Sequence, residues 1–478
     1  MTFGYLLIAA ILFSCILADR FSGKFGMPAL ILFMAVGMIF GCDGLFKIQF
    51  DNYGVAEKVC AAALVFIMFY GGFNTKWQSA KCVAVRATIL STLGVLVTAG
   101  LTGVFCYFVL HFSYVESFLI GAVLSSTDAA SVFSILRGKH LNLRDGTASL
   151  LEIESGSNDP MSYLLTMIGI SLLGNADTGN IPLMIFMQLA LGILVGVVVA
   201  LIGIVLLTKT NFIPEGLETI FVIAIVIFSF GLAELIGGNS YLSVYLLGIL
   251  LGNSRIRNKN ILIPFFDGVT GLAQILIFFL LGLLAFPHRM PDIMVPALLI
   301  ALFLTFVARP IAVFGILLPF RCSIRQCLLV SWAGLRGAAS IVFAIMVIAG
   351  GGDISLDLFH IVFMVALLSV AFQGTLIPKV AEKLDMVDNS ADVSKTFNDY
   401  QEESAMTLMR MYIPKGHNWE NHKICEVSIP TGALALMIKR DGDTMIPNGD
   451  TRILAEDSVI LSVPAYESKE DEHLEEVL

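Results

Sequence analysis

Glu152-Ile153-Glu154-Ser155-Gly156-Ser157-Asn158-Asp159-Pro160 is the stretch on which the reading of this chain turns. It carries three carboxylates, an amide and two hydroxyls. Yet it lies inside an apolar segment that opens at Thr147-Ala148-Ser149-Leu150-Leu151 and runs on through Leu164-Leu165-Thr166-Met167-Ile168. A charged side chain at bilayer depth costs about 3 kcal/mol by insertion scales, so this concentration of acids requires a purpose. On a helix, Ser155 and Asp159 stand four apart and share a face, with Glu152 a turn below. Glu154 and Asn158 form a second such pair, rotated roughly 100° away. Pro160 lacks an N–H, so the carbonyl of Gly156 loses its helical partner and can face a ligand or water. The combination predicts an ion or proton site inside a membrane protein.

The whole chain agrees with that setting. Hydrophobic residues make up 57% of 478 and charged ones 14%, against about 25% charged in a soluble chain. The net charge of −9 argues against a nucleic-acid partner. Eight cysteines show no C-x-x-C spacing, so neither a disulfide framework nor a metal site follows. No nucleophile–base pair, P-loop or metal-spacing motif appears, and the chain is expected to be neither an enzyme nor the holder of a cofactor. Residues 3–18 lack a basic n-region and read as a first transmembrane helix, not a signal peptide.

Apolar runs bounded by Gly, Pro and charged clusters predict thirteen spans. They lie near 3–18, 28–41, 57–72, 84–110, 116–136, 147–173, 181–208, 218–236, 240–252, 265–286, 295–318, 327–349 and 356–377. With the N-terminus outside, sixteen Lys and Arg fall in cytoplasmic loops and three on the opposite side. That asymmetry predicts an outside N-terminus and a cytoplasmic C-terminus in the cell membrane. Two segments echo each other: Thr127-Asp128-Ala129-Ala130-Ser131 in the fifth run and Arg336-Gly337-Ala338-Ala339-Ser340 in the twelfth. These runs point in opposite directions, the mark of inverted repeats with broken helices. An acid such as Asp128 would offset half-helix N-termini there, and Arg336 the C-terminal ends. Glu152, Glu234 and Arg309 also lie at membrane depth, where a helix-packing pair explains them as well as transport does.

Residues 1–380 form the exchanger unit in this reading and 381–403 a polar linker. Residues 404–465 form a small α+β module, and 466–478 an acidic tail. Alternating strands are expected at 408–413, 433–438 and 458–463, with turn signals at 441–443 and 447–450. So small a module gains stability by pairing with a copy of itself.

The motifs Glu152–Pro160, Thr127-Asp128 and Gly334-Leu335-Arg336-Gly337 resemble the NhaP-type monovalent cation/proton antiporter family, in order and along nearly the whole membrane part. Ile153 stands where the family has Gly. Gly156-Ser157 and Met161 resemble its potassium/proton branch. The module is similar to RCK-C (TrkA-C) domains, notably through Lys439-Arg440-Asp441-Gly442 and Ile446 to Thr451, with no dinucleotide-binding G-x-G-x-x-G domain before it.

The resemblance implies a homodimeric antiporter with about thirteen helices and two crossed broken helices. It would exchange K+, or alternatively Na+, for H+ across the lipid bilayer. The ion and proton site would comprise Asp159, Asp128, Ser155, Thr127 and Asn158, with no metal beyond the transported cation. Glu154 and Arg336 would form a structural ion pair. One transport carboxylate beside Asn158 implies electroneutral exchange. The module would bind a regulatory ligand, cyclic di-AMP being one such nucleotide, through bases such as Lys439, Arg440 and Arg452. An RCK-gated channel is the alternative from another class, and the pore filter it needs is absent from the sequence.

Overall fold

The computed structural model describes residues 2–25, 28–75, 77, 81–137, 141–173, 181–209, 213–214, 216–256, 258–351, 355–388, 406–427, 434–440 and 443–464. The chain divides into two compact units, residues 1–397 and 398–478. The expected linker at 381–403 lies partly, and the acidic tail wholly, outside the described residues.

The first unit is helical, and each of the thirteen apolar runs carries a helix or a helix pair. Among the described residues, eight helices are long and apolar enough to cross a membrane, from Tyr5–Ser22 to Leu358–Lys383. Their outward faces expose Phe13, Ile202, Phe228 and Phe306, as a hydrocarbon solvent requires. The inward faces build a core that includes Phe69, Phe266 and Phe278, joined by Phe343 of the shorter helix Ala338–Ala349. Helices approach closely where side chains vanish: a Cβ on Gly37 or Gly282 would overlap the backbone of the opposing helix.

Two runs are interrupted midway. The first broken helix consists of Tyr114–Val123 and Ala129–Arg137, the second of Ile324–Trp332 and Ala338–Ala349. The helix Thr147–Leu173, here the site helix, packs against both. It stays helical through Pro160. Three five- or six-residue π-turns interrupt other helices, at Leu90–Gly94, Leu304–Ala308 and Ser369–Gly374. A short antiparallel pair, β1 (Asn142–Leu143) with β2 (Val387–Asp388), joins the loop before the site helix to the segment after the last helix.

The second unit is a four-stranded antiparallel sheet of β3 (Met406–Tyr412), β4 (Leu434–Arg440), β5 (Asp443–Met445) and β6 (Ser458–Pro464), in the order β3-β6-β4-β5. Its register pairs Met411 with Val459 and Ile438 with both Val459 and Met445. One face closes over Ile413, Ile438, Ile453, Val459 and Leu461. Among the described residues of the module, helical structure is confined to the 3-10 turn Ile424–Glu426. The turn signal at 441–442 and the strand start at 433 lie outside the described residues.

Candidate ion site

The interruptions of the two broken helices meet. The N–H of Asp128 donates to the carbonyl of Leu335 at 2.9 Å, and Nη1 of Arg336 donates to the carbonyl of Ser126 at 2.9 Å. The side chain of Asp128 accepts from the N–H and the hydroxyl of Ser131, one turn into its own half-helix. It also lies against Gly337, where a Cβ would occupy the place of the carboxylate. Thus Gly337 is required by the crossing itself.

The site helix lies along this crossing and presents the two rows that its spacing predicts. One row, Ser155, Asp159 and Ser162, faces the first broken helix. The hydroxyl of Ser155 donates to the carbonyl of Thr127 at 2.7 Å and accepts from the N–H of Ala129 at 2.8 Å, bridging the break. Ser162 donates to the carbonyl of Ala122 at 2.7 Å. Between them Asp159, 6% exposed, accepts a hydrogen bond from the hydroxyl of Ser126. The second row is Glu154 and Asn158. The amide nitrogen of Asn158 donates to Oγ1 of Thr127 at 2.5 Å and to Glu154 at 3.3 Å. Two acceptors on that side fix the orientation of the amide. Its carbonyl oxygen is left buried and without a hydrogen-bond donor among the described residues. A buried carbonyl without a donor suits a cation.

The structure brings together the seven membrane residues assigned to the ion site and its ion pair, but corrects their pairing. Glu154 is not bridged by Arg336. Both its oxygens are taken by Arg309, at 2.9 Å each, in a fork-to-fork contact with both side chains buried. Arg336 turns instead to the carbonyl of Ser126. The cause lies in two local features. Pro310 would clash with the carbonyl one turn before it in a regular helix; the π-turn Leu304–Ala308 lies at that place and sets the direction of Arg309. Gly334 then leaves room, since a Cβ there would overlap the guanidinium of Arg309.

Arg309 and Ser126 are the functional neighbours that sequence reasoning under-weighted. A mid-span arginine before proline, and three hydroxyl residues in a row at Ser125-Ser126-Thr127, were the available signals. Asn239, from a separate helix start, donates to the carbonyl of Pro160 at 2.7 Å, and nothing in the sequence ties the two.

In the second unit Arg440 is engaged internally. Nε and Nη2 bind the two carboxylate oxygens of Asp457 at 2.8 and 2.7 Å, and Nη2 also donates to the carbonyl of Arg452 at 2.8 Å. Burial alone would push Asp457 up. The bonds from Arg440 and the N–H of Leu454 outweigh it and hold the carboxyl below the usual carboxylate range. Lys439 and Arg452 are exposed.

Known proteins bear on this geometry. The family described as "Sodium/hydrogen exchanger, transmembrane" matches residues 8–383, and the TrkA-C domain matches residues 408–465. The K(+)/H(+) antiporter NhaP2 of Shewanella baltica (strain OS223) is 33% identical over 461 residues, covering 95% of this chain and 80% of its own. The K(+)/H(+) antiporter NhaP of Alkalimonas amylolytica is 33% identical with the same coverage. Among solved structures, the sodium proton antiporter MjNhaP1 from Methanocaldococcus jannaschii superposes with a TM-score of 0.70 at 23% identity, over 80% of this chain and 99% of that one. The crossed breaks, the acid-bearing helix beside them and a match along nearly the whole length lead to one conclusion: the chain belongs to the sodium/hydrogen exchanger family.

Proposed function

We propose that the protein is a secondary antiporter that exchanges K+ for H+, with Asp159 as the carboxylate for which the two compete. The observation that carries this reading is the placement of Asp159: a buried acid on a Pro-containing helix, held by the Ser126 hydroxyl at the crossing of two broken helices. A carboxylate in such a place holds either a proton or a desolvated cation, so binding one releases the other. Thr127, Ser155 and the carbonyl of Asn158 offer the neutral hard oxygens an alkali cation takes. Asp128 faces two half-helix N-termini and Arg336 a carbonyl at a break, so the pair offsets the dipole ends. Glu154 and Arg309 fix Asn158 and Thr127 in position. K+ is favoured as the cation because relatives matched along 95% of the chain are named K(+)/H(+) antiporters. Na+ is the second reading, since the superposed structure is titled a sodium proton antiporter.

The protein would act as a homodimer in the cell membrane, with its N-terminus outside. The C-terminal module would lie in the cytoplasm and set the transport rate by binding a small anionic ligand such as cyclic di-AMP. Lys439 and Arg452 are the bases left for that ligand, Arg440 being held by Asp457. The test is exchange after a pH jump in proteoliposomes with K+, Na+ and Li+ in turn. Asp159→Asn should abolish exchange with every cation while leaving the protein folded and inserted. Proton-coupled exchange at the normal rate in that variant would sink the assignment.

A further inference from the structure

The chain that leads to the C-terminal module leaves the membrane unit at one place, and that place is tied to the helices of the ion site. After the last helix ends at Lys383, Asp385 takes a left-handed conformation (φ 54°) and β2 pairs with β1, Asn142 opposite Asp388 and Leu143 opposite Val387. The N–H of Arg144 adds a third backbone bond, to the carbonyl of Met386 at 2.9 Å. Met386 and Val387 are buried with Leu329 and Ala381 in a small apolar cluster of their own, separate from the main core. Asp385 accepts from Arg144 at 3.1 Å and from Arg325 at 3.2 Å.

The partners of this segment all lead to the ion site. β1 lies between the end of the first broken helix, Arg137, and the start of the site helix, Thr147. Thr147 is anchored to the carbonyl of Arg144 through its hydroxyl at 2.7 Å. Arg325 and Leu329 sit on the first half of the second broken helix. From the same half-helix, Gln326 reaches the hydroxyl of Thr147 at 3.1 Å and the carbonyl of Asp145 at 3.2 Å. One four-residue segment therefore touches the second broken helix directly, and the loop that joins the first broken helix to the site helix.

We propose that residues Asp385–Asp388 are a coupling clasp through which the C-terminal module acts on the ion site, with Asp385 and Val387 as positioning residues. This rests on the reading that the module regulates transport. Ordering of the module by its ligand reaches the membrane unit along the chain first at Asp388, and a shift of β2 carries β1 and the start of the site helix with it. Differential binding of the ligand to two arrangements of the clasp is then sufficient to shift their populations.

The test compares the full chain with one ended after Phe397. A solved relative is covered to 99% by 80% of this chain, so a polypeptide of membrane-unit length folds by itself. Half-saturating cation concentration and pH profile of exchange are measured in proteoliposomes. Truncation should shift the half-saturating concentration by about fivefold, the low end of measured couplings. In the full chain Asp385→Asn and Val387→Asp should reproduce that shift, and in the truncated chain they should add nothing. Should Val387→Asp fail to insert, Asp385→Asn decides, because Asn tolerates the left-handed backbone and the change removes only exposed ion pairs worth about 1 kcal/mol or less each. Clasp variants that leave the full chain unchanged, or that shift both chains equally, overturn the clasp while the regulatory reading stands. A truncated chain identical to the full one overturns both.

Discussion

At the scale of single residues, the contact between Glu154 and Arg309 decides how the site is held. Removing one member of a buried pair strands a charge and costs about 3–5 kcal/mol. Arg309→Gln is therefore expected to lower the thermal unfolding temperature of the solubilised protein more than Arg336→Gln does. The double variant Glu154→Gln, Arg309→Gln should recover part of the loss, because the two residues touch and their effects do not add. An additive double variant would show that the two do not form a unit. The sequence made the Glu154–Asn158 row legible because helical periodicity fixes which residues of one element share a face. It could not choose between Arg309 and Arg336. Both are buried arginines of distant spans, and the choice depends on a π-turn before Pro310 and on the missing side chain of Gly334. Neither leaves a periodic signal.

At the scale of elements, the breaks at Thr127-Asp128 and Arg336-Gly337 were readable because small and polar residues interrupt apolar runs, and the strands because they alternate. β3, β4 and β6 fall within two residues of the expected 408–413, 433–438 and 458–463. The π-turns were not readable. They change which carbonyl an N–H meets without changing composition. Two predictions belong here. Gly337→Ala puts a methyl where the Asp128 carboxylate lies, and overpacking of this kind costs about 1–3 kcal/mol. It should lower thermal stability and exchange together, whereas Gly271→Ala, with open space at its Cβ, should change neither. In the module, the folded-state carboxyl of Asp457 lies below its unfolded value. The stabilisation it brings is thus fully present above the unfolded value of about 3.9 and fades as pH falls through the folded one. Hydrogen exchange of β4 and β6, corrected for intrinsic rate, should show the sheet loosening on acidification below about pH 4. Asp457→Asn should remove that pH dependence and cost about 3 kcal/mol at neutral pH.

At the scale of the whole molecule, a single carboxylate beside Asn158 predicts transport without net charge movement. One proton for one cation leaves nothing for the voltage to act on, although a full charge would feel about 2.3 kcal/mol per 100 mV. Exchange in voltage-clamped proteoliposomes should keep the same reversal point at zero and at −100 mV; a reversal point that moves would bring Asp128 into the cycle as a second titrating group. The succession of apolar helices was legible at this scale because bilayer thickness sets the length of long apolar segments. The clasp at Asp385–Asp388 was not, since four residues that pair with a distant loop carry no pattern of their own. The crossing has a mechanical consequence. With Gly337 against Asp128, it contains no spare clearance in which one broken helix could slide past the other. Any alternation of access must then carry both broken helices and the site helix as one block. Spin labels placed on the Ala129–Arg137 and Ala338–Ala349 halves should keep one separation across the transport cycle, while either label should change its distance to the Lys259–Leu284 helix.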